Sequence, residues 1–314
     1  MTISISSGKL TLELASPLIG GSGAFGFGGE YAHLVDLDLL GAVVTNPISL
    51  NARRAAHGTR IIPLDSGILV HTGLPNPGIY KAQRQYGARW KSSPVPVIVH
   101  LIGTTPDEIA ECATFLDRQE AVGGIELGLP DSATPQEVRR LVTAARTKTQ
   151  VPILVQLPLG GGIQVAIAAA EGGANALVAA APPRGTARDP LSGRFIGGRL
   201  YGPTVKAQTL RATGQIAAQM QIPIIGAGGI HSADDARDFL AAGAVAVQID
   251  SVVWVRPALV GMIARALGGL EATRPAGALN DEWSTDESIS TPSMRASILP
   301  SAPLPPDSQS KPSA

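Results

Sequence analysis

Short apolar runs alternate with amphipathic stretches between about residue 15 and residue 268. Within each run the Val, Ile, Leu and Ala residues stand next to one another, which is typical of strands buried on both faces. We predict eight such strands, at residues 15–21, 41–45, 95–102, 124–129, 151–157, 174–180, 222–227 and 243–249. Eight strands with helical crossovers in about 270 residues predict an α/β fold of the (β/α)8 TIM barrel type. The alternative is an open doubly wound sheet, which would be unusually wide.

Two of the amphipathic stretches carry helix start signals. Thr105 and Thr134 are each followed by Pro, and by Glu three residues after the Thr. This combination is typical of a capping box with proline at the first helical position, so helices are predicted to begin there. Cys112 lies on the apolar face of the first of these helices, between Ile109 and Leu116. We expect its thiol to pack in the core and not to act as a nucleophile.

The composition changes at about residue 271. The last 44 residues contain 7 Pro and 9 Ser, a bias that is typical of disordered segments. We therefore predict two regions, a barrel at residues 1–270 and a disordered Pro/Ser-rich tail at residues 271–314. A segment that docks onto a partner is the alternative for the tail.

Charge and cysteine content exclude several classes of protein. The chain has 25 Lys and Arg residues against 25 Asp and Glu residues, whereas nucleic-acid-binding proteins usually carry a basic surplus. We see neither a signal-peptide pattern nor an apolar window of about 18 residues, so we expect no membrane segment. A single cysteine excludes an internal disulfide and a multi-cysteine metal cluster, and we expect no metal site. It also fits a reducing compartment, the cytoplasm.

Glycine is concentrated after the predicted strands, where a barrel of this type has its active site. Residues 222–230, Ile-Pro-Ile-Ile-Gly-Ala-Gly-Gly-Ile, precede a helix predicted to begin near Ser232. The backbone N–H groups of Gly228 and Gly229 would approach an anion closely, and the positive end of the helix would add to the attraction. We predict a phosphate-binding turn. The alternative is a tight turn that needs glycine for its backbone angles alone.

Several segments together match one known family in order. Ser22-Gly23 follows the first strand, and further matching segments lie at residues 73–78, 197–203, 226–230 and 242–249. Over residues 10–268 the sequence resembles the soluble, FMN-dependent dihydroorotate dehydrogenases. The resemblance implies a flavoenzyme in which the substrate passes a hydride to FMN while a base removes the adjacent proton.

The same resemblance assigns residues to the site. It implies FMN contacts at Ser22, Gly23, Thr45, Asn46, Gln156, Gly202, Gly228, Gly229 and Ser251. It implies substrate contacts at Val70, His71, Thr72, Gly73, Leu74 and Asn76.

Charged residues of the family pattern are replaced in this sequence. Asn46 and Gln156 stand where the family has lysines beside the flavin, so the positive charge that stabilises the reduced ring is missing. Asp250 and Ser251 stand where a glycine and a small hydroxyl residue help to hold the phosphate. A carboxylate beside a phosphate would repel it unless it points away.

The groups that act on the substrate are also altered. The strand-four motif, which introduces the catalytic Cys or Ser base in the family, is shortened to residues 128–131. Val70 and residues 179–181 stand where the family has asparagines that bind the substrate. These replacements favour a substrate that is less polar than dihydroorotate.

Two histidines are candidates for the missing base. His71 precedes the glycine-rich segment at residues 73–78, and His100 lies near the end of the third strand. Histidine is the side chain most easily tuned to proton transfer near neutral pH. The alternative is that each imidazole only hydrogen-bonds a loop carbonyl. Arg184 lies in a long segment after strand six that is predicted to be either a lid or disordered.

We therefore predict an FMN-dependent oxidoreductase that oxidises dihydroorotate to orotate or carries out a related hydride transfer. The alternative is a non-catalytic barrel of the same family that binds a phosphate ligand or serves as a regulatory subunit. A third hypothesis, a phosphate-ester enzyme without flavin, would use Glu126 and Asp250 as acid and base. We expect a small-molecule substrate. The sequence does not decide whether the protein forms a homo-oligomer. It also does not decide whether the chain works with the iron–sulfur subunit that one branch of the family uses.

Overall fold

The computed structural model describes residues 2–7 and 10–268, so the tail predicted at residues 271–314 lies outside the described residues. Strands account for much of this part of the chain: β1 (Ile3–Ser7), β2 (Leu10–Leu14), β3 (Leu18–Gly20), β4 (Ala42–Val44), β5 (Ile61–Leu64), β6 (Gly67–Val70), β7 (Val97–Ile102), β8 (Gly124–Gly128), β9 (Ile153–Leu157), β10 (Ala176–Ala179), β11 (Arg184–Arg188), β12 (Phe195–Tyr201), β13 (Ile224–Ala227) and β14 (Ala246–Ile249).

Eight of these strands form a closed parallel barrel. Around the barrel they follow the order β3, β4, β7, β8, β9, β10, β13 and β14, and β14 pairs with β3 to close it. Each barrel strand lies inside one of the eight runs predicted from the sequence. The predicted (β/α)8 barrel is confirmed, and closure excludes the open doubly wound sheet.

The helices between barrel strands are α1 (Ile79–Lys91), α2 (Pro106–Leu116), α3 (Pro135–Arg146), α4 (Gly162–Glu171), α5 (Lys206–Gln219) and α6 (Ala233–Ala241), and β14 is followed by α7 (Val252–Val255) and α8 (Ala258–Leu267). Short 3-10 helices lie at Leu37–Leu39 and Pro203–Val205. The side chains of Thr105 and Thr134 accept from Glu108 N and Glu137 N, and both capping boxes are complete. These two predicted helix starts are therefore confirmed.

The β1–β2 hairpin, which the sequence analysis missed, packs against the interior of the barrel. Its side chains Ile5, Leu12 and Leu14 form one buried cluster with inward-facing residues of the barrel strands. A Cβ on Gly124, at the start of β8, would lie 3.5 Å from Leu12 Cδ2. The hairpin therefore covers the amino-terminal end of the barrel, the end opposite to the expected active site.

A second layer that was not predicted is an antiparallel sheet with the strand order β11-β12-β6-β5. It joins two distant segments of the chain, because β12 pairs with β6 through Arg199 and Val70, Leu200 and Leu69, and Tyr201 and Ile68. The segment after strand six, predicted to be a lid or disordered, is thus an ordered hairpin of this sheet.

The helices and the outer faces of the barrel strands form the larger hydrophobic cluster. Cys112 lies in this cluster, with 2% of its surface exposed. Burial raises the pKa of its thiol to about 12. The predicted structural role of Cys112 is therefore confirmed, since the nucleophilic thiolate is not formed near neutral pH.

Candidate active site

A cavity of about 910 Å³ opens at the carboxyl ends of the barrel strands. Its floor comes from residues at or just after the strand ends, among them Gly21, Gly128, Ala180, Ala227 and Asp250. The antiparallel sheet supplies one wall, through Ile61, Ile68, Val70, Arg184, Arg199 and Tyr201. This is the position at which (β/α)8 barrels bind their ligands.

Eight of the site residues predicted from the sequence line this cavity: Ser22, Gly23, Asn46, Val70, Thr72, Leu74, His100 and Gln156. The cavity lining does not include Thr45, His71, Gly73, Asn76, Gly202, Gly228, Gly229 or Ser251. Thr45 is close behind the lining, since its hydroxyl donates to Asn46 O and accepts from His100 N.

His100 forms a buried pair with Glu126 inside the barrel. His100 Nδ1 lies 2.7 Å from Glu126 Oε1, and the exposed fractions of the two residues are 4% and 0%. The other oxygen, Glu126 Oε2, accepts from the side-chain amide of Gln248. Because both carboxylate oxygens are paired, the acid is stabilised in the apolar interior and fixes the orientation of the imidazole.

Glycine at position 128 leaves room for this imidazole. Gly128 is the last residue of β8, and a Cβ there would collide with His100 Nε2. His100, Gly128 and the register neighbour of Gly128, Gln156, all line the cavity. His100 thus has one ring nitrogen on a buried carboxylate and the other on the cavity side, an arrangement that supports proton transfer.

Asn46, which is part of the cavity lining, has a side-chain oxygen without a hydrogen-bond partner among the described residues. This oxygen, Oδ1, is buried. An unpaired buried polar atom costs about 1–3 kcal/mol, so a ligand that donated a hydrogen bond there would recover this energy. Asn46 and Gln156 are neutral amides in the same cavity, and amides can both donate to and accept from a heterocyclic ring.

The turn after β13 requires glycine at two positions. Gly228 and Gly229 have φ values of 100° and 77°, which only glycine adopts readily. A Cβ on Gly229 would also collide with the backbone of Lys206. The backbone angles and this close approach explain both glycines without any ligand. They are therefore compatible both with the predicted phosphate-binding role and with a tight turn.

Asp250 follows β14 and lines the cavity with 9% of its surface exposed. Its Oδ1 accepts from both the backbone N–H and the hydroxyl of Ser251. Burial raises the pKa of this carboxyl, and the two bonds from Ser251 oppose the rise only in part. Ser251, which is predicted to contact the phosphate, therefore lies beside an acidic side chain that lines the cavity.

The glycine-rich segment at residues 73–78 is stabilised from within. Asn76 Oδ1 accepts from Gly78 N at 2.9 Å and from Ser49 N at 3.2 Å, and Asn76 Nδ2 donates to Leu74 O at 3.1 Å. These bonds close the turn. The side-chain amide predicted to contact substrate is thus engaged by the loop, while Thr72 and Leu74 face the cavity.

An ion-pair cluster that the sequence analysis missed lies at the cavity rim. Asp131 accepts from Arg184 Nε at 2.7 Å and from Arg199 at 2.6 Å. Partial burial works to raise the pKa of Asp131, but the hydrogen bonds from both arginines outweigh this effect and lower it. The cluster joins the shortened loop after β8 to the antiparallel sheet. Its residues are far apart in the sequence, so no local sequence pattern predicts it.

The fold and the cavity define a (β/α)8 barrel protein with a ligand site at the carboxyl ends of its strands. A family model described as dihydroorotate dehydrogenase matches residues 5–270. The dihydroorotate dehydrogenase B (NAD(+)) catalytic subunit of Pelobacter propionicus is 35% identical over 273 residues, covering 82% of this chain and 90% of that protein. Those of Trichlorobacter lovleyi and Desulforudis audaxviator are 34% identical over 82% of this chain and cover 90% and 89% of those proteins. The chain belongs to the dihydroorotate dehydrogenase family.

Among residues 2–7 and 10–268, no helix is both long and apolar enough to span a bilayer. Within the same part of the chain, no group of three or more His, Cys, Asp or Glu side chains is arranged to hold a metal ion.

Proposed function

We propose that this protein is an FMN-dependent oxidoreductase that oxidises dihydroorotate to orotate or carries out a related hydride transfer. The supporting observation is the buried, unpartnered Asn46 Oδ1 in a cavity at the carboxyl ends of the barrel strands. Family membership and relatives named for dihydroorotate oxidation give the reaction class.

The residues present fit a flavin. In this proposal Ser22, Gly23, Asn46 and Gln156 contact the ring system, and the turn at Gly228 and Gly229 receives the phosphate. Bound FMN would supply the acceptor for a hydride from the substrate. Residues 1–270 would then form the FMN-binding barrel.

His100 is the proposed proton acceptor. It lines the cavity, and its Nδ1 is held by Glu126, so its Nε2 is free to take a proton from the substrate. The carboxylate would stabilise the imidazolium that forms, as in other acid–histidine pairs.

The relatives are named as catalytic subunits of an NAD(+)-dependent enzyme. We infer that this chain also works with a second subunit, which passes electrons on to NAD(+). A small-molecule substrate would enter from the rim formed by Arg184, Arg199 and Arg53, where an anion is attracted.

The test is the visible spectrum of the purified full-length protein between about 350 and 500 nm, with heat release and chromatography of any chromophore. We expect a flavin spectrum, or its appearance on addition of FMN, with close to one FMN per chain. A colourless protein that takes up no added flavin would contradict the proposal and favour the non-catalytic alternative.

A further inference from the structure

After β14, the eighth strand of the barrel, the acidic residue Asp250 lies where a barrel of this type usually has a free backbone N–H group. Ligand phosphates in (β/α)8 barrels often bind to the loops after strands seven and eight. Here the loop after β13 contains Gly228 and Gly229, and the loop after β14 begins with Asp250 and Ser251. Ser251 N–H already donates to Asp250 Oδ1, so this donor is used within the chain.

The Asp250 carboxylate is fixed in place by a chain of hydrogen bonds. Ser251 Oγ donates to Asp250 Oδ1 at 2.8 Å and lies 3.0 Å from His231 Nε2. Since the hydroxyl proton goes to Asp250, His231 Nε2–H is the donor to Ser251, which defines the tautomer of His231. The carboxylate therefore cannot swing away without breaking bonds that it accepts.

The surroundings keep the acid at the edge of the ligand space. Asp250 lines the cavity together with Tyr201 and Trp254, whose rings pack edge to face with centroids 5.1 Å apart. Tyr201 OH would lie 3.8 Å from a Cβ on Gly23, so the phenol reaches across to the loop after β3. A dianionic phosphate brought to Ser251 N–H would meet the largely buried carboxylate of Asp250 at close range.

We propose that Asp250 is an internal anion that occupies the strand-eight half of the phosphate site and sets cofactor specificity, so that the phosphate of FMN adds little to binding. This inference rests on the proposed flavin function. The ring contacts at Asn46 and Gln156 then supply most of the affinity, and the glycine turn holds the phosphate alone. The chain should consequently bind riboflavin nearly as tightly as FMN.

The first experiment measures the Kd of FMN and of riboflavin for the full-length apoprotein by quenching of flavin fluorescence. In the wild type we expect the two values to agree within about threefold. Asp250→Asn keeps the shape and an acceptor for Ser251 but removes the charge. We expect it to tighten FMN binding by about tenfold or more and to change riboflavin binding by less than about threefold.

Asp131→Asn is the matched control, because it removes a carboxylate from the strand-four side of the same cavity. It should not tighten FMN binding selectively. The inference is wrong if the wild type prefers FMN by about 100-fold and Asp250→Asn leaves this preference unchanged. It is also wrong if Asp131→Asn reproduces the selective effect, since general charge would then explain it.

Inorganic phosphate provides a readout that does not depend on flavin. Saturating phosphate should raise the Tm of the Asp250→Asn protein by about 2 °C or more beyond any rise in the wild type. If no variant binds either flavin but this difference appears, the flavin function fails and the role of Asp250 stands. Equal shifts in the two proteins would overturn the role of Asp250.

Discussion

At the scale of single residues, the chemistry of the cavity depends on which polar groups are paired within the protein. Glu126 is completely buried and has both oxygens hydrogen-bonded, whereas Asn46 Oδ1 is buried without a partner among the described residues. A paired group orients its neighbour, and an unpaired one favours a ligand. The proposed function therefore gives His100 and Asn46 different roles: His100 would accept a proton, and Asn46 would hold the cofactor.

The proton-transfer role predicts the effect of removing the imidazole or its carboxylate. His100→Gln should lower the rate of flavin reduction by substrate by about 100-fold or more, because a positioned base contributes about 10²–10⁴-fold. Glu126→Gln should also lower it, since the imidazolium loses its stabilising charge. Stopped-flow measurement under anaerobic conditions gives these rates, and flavin content should stay near the wild-type value.

Glu111→Gln is a suitable control because this exposed glutamate lies on the outer helical layer, where it accepts a hydrogen bond from Tyr80, and is not part of the cavity lining. It should reduce its flavin at the wild-type rate. If the flavin of the His100→Gln protein is reduced at the wild-type rate, His100 is not the base.

Asp250 also predicts a pH dependence of stability. Burial raises its pKa in the folded state, so the folded protein binds this proton more tightly than the unfolded chain. Stability from this group is therefore greatest below the ordinary carboxyl pKa of about 4 and falls as the pH rises through the folded pKa. Asp250→Asn cannot ionise at this position, so its stability relative to the wild type should be greater at about pH 8 than at about pH 4.

His231 and Tyr201 are the titratable groups that face Asp250. Burial lowers the pKa of His231 against the attraction of Asp250 and Asp235. Asp250→Asn removes one of these attractions, so His231 changes the Tm difference between the two pH values in the same direction as Asp250. A Tm difference that is the same at both pH values would show that Asp250 carries no unfavourable charge in the folded protein.

At the scale of secondary-structure elements, local signals are strong at the helix starts and weak in the antiparallel sheet. The capping boxes at Thr105 and Thr134 involve residues three apart, so the sequence alone predicts them. The sheet formed by β5, β6, β11 and β12 depends on pairing between segments more than 100 residues apart, such as Val70 with Arg199. No local pattern encodes such pairing, and the polar strand β11 has no apolar periodicity.

The same distinction explains which site residues could be predicted. His100 and Gln156 stand at the ends of strongly apolar strands, so their position at the cavity follows from the barrel prediction. Asn76 was assigned to substrate by resemblance, but its amide is used by the turn, which is a matter of local backbone geometry. The pairing of Glu126 with His100 needs the register of β7 and β8, which the sequence does not specify.

The helix start at Thr134 can be tested directly. Thr134→Ala removes the hydroxyl that accepts from Glu137 N, and should lower the free energy of unfolding by about 1 kcal/mol. Thr143→Ala, at an exposed position within the same helix, is the control and should have no destabilising effect because alanine favours helices. Urea denaturation measures both. Equal effects of the two substitutions would contradict the capping role.

At the scale of the whole molecule, the barrel provides a stable frame and the layers added to it define the site. The β1–β2 hairpin covers one end, and the antiparallel sheet forms a wall of the cavity at the other end. The rim cluster of Asp131, Arg184 and Arg199 joins that sheet to the shortened loop after β8. The reaction is thus proposed to occur in a cavity whose usual lysines and loop base are absent, with His100 as the replacement for the base.

The most direct test of this account is an anaerobic titration of the flavin-loaded protein with dihydroorotate, followed by absorbance at about 450 nm. We predict complete loss of the flavin band and formation of one orotate per flavin. The account is contradicted if excess dihydroorotate leaves the band unchanged while dithionite bleaches it, because the bound flavin would then be reducible but not by this substrate.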